Sequence, residues 1–548
     1  MIIRTSKLLI LLIIIFFCAC RHDRDQVNRP KIVVGIVIDQ MRWDYLYRYY
    51  ERYGHSGFRR LLRNGYSCNN TSISYLPSYT APGHACIYTG SVPAIHGIAG
   101  NDWVDRRTGA KWYCVQDTSV TLTGGDTKGQ PMSPANLLTT TITDELRLAT
   151  NFASRVYGVA LKDRGSILPA GHLANAAYWY SEHTGGFISS SYYKDPEPEW
   201  LKAFNNRKTG DSMVQEGWYP LYDISTYTQS TADSTPWEGP FKWEKAPVFP
   251  HRFDGLDEEK RRAVIKSIPA GNTYTLMMAK ACMQGESLGK GSATDMITIS
   301  LSSTDYIGHR FAINSIEAED TYLRLDRDIS DLLLYLDKTY GRNGYLVFLT
   351  ADHGAAHNGG FLAANGIPAG IEGDGVMDGL NGYLHQTLGL DSIVTFMSNY
   401  QVCFDEVRIA ASGKDRETVK LTAMAWLNAQ PNVAYAIDME NIWRNTVPEP
   451  IRTMAVNGYH NHRSGSIQVV LNPGCYNGDG HTTGTTHGTW NPYDSHIPLL
   501  WYGWHIKRGA SDEPVHMTDI APTLASLLHI QMPSGCVGKP IIGLKKEH

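Results

Sequence analysis

Three aspartates and three histidines, Asp39, Asp305, His309, Asp352, His353 and His487, are the residues of this chain best able to do chemistry, together with one hydroxyl, that of Thr80. They supply six oxygen and nitrogen ligands. Two borderline divalent ions such as Zn²⁺ take three or four such ligands each. No cysteine belongs to the set, which disfavours a closed structural site. Thr80 lies in Ser78-Tyr79-Thr80-Ala81-Pro82-Gly83-His84. Pro82 suits the first turn of a helix, where its missing N–H is harmless. A helix starting there puts Thr80 at its N-terminus, beside free N–H groups and the positive dipole end. That is a place to hold an anion and attack it. Singly these features are commonplace, since threonine caps helices and aspartate ends strands. Their weight comes from recurring after one buried strand after another.

Those strands are the elements that must position the set. Residues 32–38 are an unbroken β-rich apolar run, which reads as a strand buried on both faces and ends at Asp39. Similar runs at 296–301 and 345–350 precede Asp305/His309 and Asp352/His353, and His487 comes before a run at 497–501. A run at 155–161 leads into Lys162-Asp163-Arg164. Helices are predicted over 43–62, from Thr80 to about 88, from Ser133 to about 149, from Ile316 onward and from Thr518 onward. Strand, helix and strand with polar residues at the strand ends is the grammar of an open, mostly parallel α/β sheet, which binds ligands at the carboxyl ends of its strands. Residues from about 170 to 270, rich in Trp, Tyr, Ser, Gly and Pro, read as an insertion over the sheet. A second insertion, 358–480, reads as a small α+β cap with a helix over 418–427 and strands at 402–404 and 467–471.

The chain has 548 residues, 42% hydrophobic and 19% charged, which is ample for a large core. Its net charge of −4 argues against nucleic acid as a bulk partner. Arg4 and Lys7 precede an apolar run from Leu8 to Phe17 and then Cys18-Ala19-Cys20. The run is too short to span a bilayer and has the layout of a secretory signal over 1–20. Its end resembles a bacterial lipobox, with Cys20 as the residue that would anchor the chain to a membrane. Residues 21–30 read as a polar tether, and 31–548 as the catalytic part. The other seven cysteines have no regular spacing and read as buried small residues or one or two incidental bridges.

Asp39, Thr80, Asp305-x-x-x-His309, Asp352-His353 and His487 together resemble the alkaline phosphatase superfamily. Val37-Ile38-Asp39-Gln40-Met41-Arg42-Trp43-Asp44-Tyr45, Gly97-Ile98-Ala99-Gly100-Asn101-Asp102-Trp103 and Leu161-Lys162-Asp163-Arg164 look like signatures of its threonine-nucleophile, PafA-type branch from Bacteroidota. The resemblance runs from Lys31 to the closing helix. It implies a three-layer α/β sandwich with two insertions and an exported, monomeric enzyme, periplasmic or lipid-anchored at the outer membrane. The implied activity is hydrolysis of small phosphate monoesters through a phosphothreonine at Thr80. It implies two zinc ions, one on Asp305, His309 and His487, the other on Asp39, Asp352, His353 and the Thr80 oxygen. Asn101, Lys162 and Arg164 then match phosphate-binding residues. The phosphodiesterase branch lacks the Lys/Arg pair, which favours monoesters here. A phosphodiesterase or nucleotide pyrophosphatase, and a lipoprotein that binds a phosphorylated ligand without turnover, are the competing readings.

Overall fold

A computed structural model describes residues 27–545, except 195–196, 374 and 479–480. The signal and lipobox read at 1–20, and residues 21–26 of the tether, lie outside the described residues. In chain order the organising strands are β1 (Ile32–Ile38), β2 (Tyr66–Cys68), β3 (Val156–Ala160), β4 (Ala176–Ser181), β5 (Gly186–Ile188), β6 (Asp295–Leu301) and β7 (Tyr345–Thr350). They continue with β8 (Val394–Ser398), β9 (Gln401–Phe404), β10 (Val433–Asp438), β11 (Ile467–Leu471), β12 (Leu499–Gly503) and β13 (Gly509–Ser511). The main sheet has nine strands in the order β13-β2-β12-β7-β1-β6-β3-β4-β5. Its centre, β7, β1, β6, β3 and β4, is parallel, and β12 and β5 join antiparallel.

Every residue of β1, β6 and β7 is buried, so both faces of the sheet are covered and the architecture has three layers. Val, Ile and Leu side chains of these strands make the largest apolar cluster. The helices that matter for the site are α1 (Thr80–Thr89), α2 (Ile142–Ala149), α3 (Asp163–Ala170), α4 (Ser303–Phe311), α5 (Ile316–Tyr340) and α6 (Ile520–Leu528). Helix α5 buries Leu325, Ile329, Leu332, Leu333 and Leu336 as its periodicity requires. The strand row β8-β9-β11-β10 forms a separate antiparallel sheet within 358–480, with its own apolar cluster and the helix Arg416–Asn428 beside it.

Several elements differ from the sequence reading. Residues 43–62 do not form one helix but short turns at Tyr45–Arg48 and Tyr50–Arg52, then a helix at Phe58–Asn64. The break holds Gly54 and Gly57, whose backbone lies against the buried carboxylate of Asp326. The helix expected from Ser133 starts only at Ile142, because Thr141 and Asp144 form a reciprocal capping box there. Thr80 is the first helical residue of α1, not its cap; the extended residue before it is Tyr79. The segment from 170 does not begin as an insertion, since β4 and β5 extend the central sheet. All seven cysteines beyond Cys20 are free, so no incidental bridge forms among the described residues.

Candidate active site

Register brings the strand ends together. Ala160 of β3, Ser300 of β6, Val37 of β1 and Thr350 of β7 form one row across four adjacent parallel strands. Two residues past that row lie Lys162, Asp39 and Asp352. Helix α4 starts directly after β6, and its four-residue spacing sets Asp305 and His309 on one face, with Asp305 Oδ1 3.0 Å from His309 Nε2. His487 arrives from the loop before β12, its Nε2 3.6 Å from Asp305 Oδ1. His353 Nε2 lies 3.5 Å from Asp39 Oδ1 and 3.5 Å from Asp352 Oδ2. The His353 and His487 rings stack at 3.5 Å.

Thr80 is buried within this group, its Oγ1 3.4 Å from His353 Nε2. Gly83 allows the approach, because a Cβ there would lie 2.6 Å from the carbonyl oxygen of Asp352. Asn101 Oδ1 accepts from the Ala81 N–H at 2.9 Å, so that amide caps the start of α1 beside Thr80. Lys162 Nζ donates to Asp39 Oδ2 at 2.7 Å and to Asp305 Oδ2 at 2.5 Å. Arg164, in the first turn of α3, donates from Nη1 to the Tyr113 hydroxyl at 2.9 Å, and that hydroxyl donates to Asp163 at 2.5 Å. All ten residues expected at the site therefore come to one edge of the sheet.

The donor set fits divalent cations. Asp305, His309 and His487 present ligand atoms within 4.8 Å of one another, and so do Asp39, Asp305 and His353. Asp305 thus joins both groups, and Asp352 approaches the second through His353. The buried oxygens Asp39 Oδ1 and Asp352 Oδ2 have no hydrogen-bond partner, which is costly for a carboxylate unless a cation meets it. Each histidine donates its Nδ1–H to a main-chain carbonyl: His309 to Thr485 at 2.8 Å, His353 to Gly354 at 3.0 Å and His487 to Ser78 at 2.8 Å. That orients every Nε2 inward, as ligating histidines require. In the protein alone, burial pushes the His353 and His487 imidazoles toward neutrality. Burial, reinforced by Asp352, pushes the Asp39 carboxyl well above its usual range. Burial also opposes the Asp305 carboxylate, but His309 and Lys162 outweigh it and hold that group well below its usual range.

The whole chain is similar to known proteins. Residues 33–491 match the family described as type I phosphodiesterase / nucleotide pyrophosphatase. The chain is 50% identical to alkaline phosphatase PafA of Elizabethkingia meningoseptica over 94% of each chain. It is 47% identical to alkaline phosphatase PhoV of Synechococcus elongatus, over 98% of this chain and all of that one. A Myroides odoratus protein named a calcium-transporting ATPase is 50% identical over 96% of each. A crystal structure of wild-type alkaline phosphatase PafA superposes with a TM-score of 0.92 at 49% identity, covering 95% of this chain and 100% of that one. The chain belongs to this family, in its PafA-type alkaline phosphatase branch. Here the Asp/His cluster is built on a mostly parallel sheet. Among the described residues no helix is long and apolar enough to cross a membrane.

Some functional neighbours carry no signal in the sequence. Gln40 follows Asp39 with φ +65°, and its Nε2 donates to Asp305 Oδ1 at 2.7 Å while its N–H donates to Asp352 Oδ1 at 3.2 Å. Tyr113, far from Arg164 in sequence, orients that guanidinium. His84 lies beside Thr80, its Nδ1 donating to the Thr80 carbonyl at 2.8 Å. His96 bonds Cys86 Sγ at 3.2 Å. His357 lies in a loop against Asn314, and His481 is exposed, so neither competes with His353 or His487. His496 stacks on Trp43 and bonds Asn69, a structural role.

Proposed function

We propose that the chain is an exported phosphomonoesterase in which Thr80 takes up the phosphoryl group and passes it to water. The observation that carries the reading is the cluster of three imidazole Nε2 atoms and two buried carboxylate oxygens that accept no hydrogen bond, with the Thr80 hydroxyl 3.4 Å from His353 Nε2. Two divalent cations fit the donors, zinc by type, one on Asp305, His309 and His487 and the other on Asp39, Asp352 and His353 with Thr80. When bound they lower the pKa of a hydroxyl and carry charge that develops on the leaving oxygen.

The chain's own residues do the rest. Helix α1 aims Thr80 Oγ1 from its first turn, where the dipole favours an anion. Thr80 Oγ1 forms the bond to phosphorus as the bond to the leaving alcohol breaks, and water later cleaves the phosphothreonine. Asn101, Lys162 and Arg164 hold the non-bridging oxygens, over which charge spreads in the transition state. A monoester dianion offers three terminal oxygens to such a clamp, whereas a diester offers a bulky group in place of one. The likeness to PafA-type phosphatases supports small phosphorylated substrates and a monomer. Export rests on the charged, apolar and small-residue layout of 1–20, and anchoring on Cys20.

The phosphodiesterase reading keeps one supporting observation, the description of the matching family. Rates on a monoester and a diester with one leaving group separate the two. We expect the monoester to be preferred; faster diester hydrolysis would overturn the reading. Thr80→Ala should keep its metal content and form no phosphoenzyme, and phosphate trapped on another residue would refute the assignment of the nucleophile.

A further inference from the structure

The second insertion reaches into the site with the tip of one hairpin. Strands β8 and β9 are joined by two residues, Asn399 and Tyr400, since Ser398 pairs with Gln401. Both have positive φ, 58° and 56°, which a two-residue turn of this type demands. Asparagine accepts that conformation readily; tyrosine does not, and holding it there is strained. The strain is balanced by contacts on both sides of the turn. The Tyr400 carbonyl accepts from Val469 N at 2.7 Å and from Gln468 Nε2 at 2.9 Å, which locks the tip to β11.

The tip touches the segments on either side of the phosphate site. Asn399 is 5% exposed, and its Nδ2 donates to the carbonyl of Asp102 at 2.6 Å. The same amide fills the space beside Gly100, where a Cβ would come 2.7 Å from Asn399 Cγ. It therefore lies across the backbone from Gly100 to Asp102, with Asn101 between them. The carbonyl of Asn101 is held from the other side by Cys114 N at 2.9 Å. The Tyr400 ring stacks at 6.5 Å on Tyr79, the residue before Thr80, and its hydroxyl reaches the His487 carbonyl at 3.4 Å.

We propose that Asn399 is a positioning residue for phosphate binding: its amide clamps the Gly100–Asp102 backbone and so sets where the Asn101 side chain meets the substrate. This rests on the reading of Asn101 as a phosphate ligand. The insertion then acts on the site through this clamp, not only by covering the sheet.

A double-mutant cycle tests it, with cation-loaded full-length protein and wild type, Asn399→Gly, Asn101→Ala and the double variant. Glycine keeps the positive φ of the turn and removes only the amide. The readouts are kcat/KM on a monoester and on a diester, and inhibition by inorganic phosphate. Loss of one buried hydrogen bond that orients a ligand is worth about tenfold. Asn399→Gly should lower monoester kcat/KM about tenfold and weaken inhibition by phosphate by a similar factor, with less than about a twofold effect on the diester. In the Asn101→Ala background the same change should cost less than about twofold, because coupled residues are not additive. A full tenfold loss in that background, or an equal loss on the diester, overturns the proposal while leaving Asn101 as a ligand. A silent Asn101→Ala overturns the ligand reading and the clamp with it. Asn399→Asp keeps the turn preference and sets an oxygen against the Asp102 carbonyl. It should reproduce the monoester loss, and full activity in it would also overturn the clamp.

Discussion

Lys162 offers the most direct measure of how charge is balanced at this site. Its Nζ is buried and shared between Asp39 at 2.7 Å and Asp305 at 2.5 Å. Burial opposes the ammonium charge, yet Asp305 and Asp39 hold its pKa well above the ordinary lysine value. Lys162→Met keeps the length and volume of the side chain and removes the charge. In chelator Asp39 then loses its ammonium partner and Asp305 is left with His309, and breaking a buried pair this way costs about 3–5 kcal/mol. A chain of 548 residues unfolds with about 2 cal/mol/K per residue, so each kcal/mol is worth about 1 °C. Tm should fall by about 3–5 °C in chelator. With saturating zinc the bound cations neutralise the same carboxylates, and the loss should shrink to about 1–2 °C. Thermal unfolding of both proteins, with and without chelator, reads the difference. Equal losses in the two conditions would refute the idea that lysine and metal balance the same carboxylates. A larger loss in zinc than in chelator would refute the assignment of Asp39 and Asp305 as ligands.

Two further perturbations follow from the surroundings. A Cβ on Gly308 would overlap Gln40 Oε1, so Gly308→Ala should break the Gln40–Asp305 hydrogen bond and lower monoester kcat/KM about tenfold, and Gln40→Gly should produce a similar loss that Gly308→Ala does not deepen; unchanged turnover in Gly308→Ala would mean that Gln40 does not orient Asp305. His251 is buried between Glu244 at 3.1 Å and Glu317 at 3.2 Å; burial opposes its charge, but the carboxylates raise its pKa to about 9. A pKa raised on folding gives stability that is complete below about pH 6.5 and is lost as pH rises through about 9. Glu238, raised to about 8 by burial and by Glu317, acts with the same sign. Tm should therefore decline between pH 7 and 9.5, and His251→Gln should flatten that slope; an unchanged slope would remove His251 as its source.

The chain's local chemistry announced much of the site. A run buried on both faces is visible without partners, because it is apolar nearly throughout and does not alternate with polar residues, and a carboxylate or imidazole soon after it is visible too. That is why Asp39, Asp352 and His353 were legible, and why the four-residue spacing of Asp305 and His309 could be placed on one helical face. Local signals also misled where a distant group decided the outcome. Ser133-Pro134 has the form of a helix start, but the capping box at Thr141 and Asp144 begins the helix later. Residues 176–188 are polar and aromatic enough to resemble an insertion, yet they pair at the edge of the central sheet.

The sequence by itself determined the parallel α/β class, the buried strands and the types of side chain at their ends, because these depend on periodicity and on residue chemistry within a few positions. Only the tertiary structure decided which of those ends meet. The row of Ala160, Ser300, Val37 and Thr350 is a matter of strand order and register. The contacts of Gln40 with Asp305, Lys162 with Asp39 and Asn399 with Asp102 join residues separated by 265, 123 and 297 positions. No local pattern encodes such pairings. They exist because close packing of the sheet, the helices and one hairpin tip brings these buried polar groups within hydrogen-bond reach of one another.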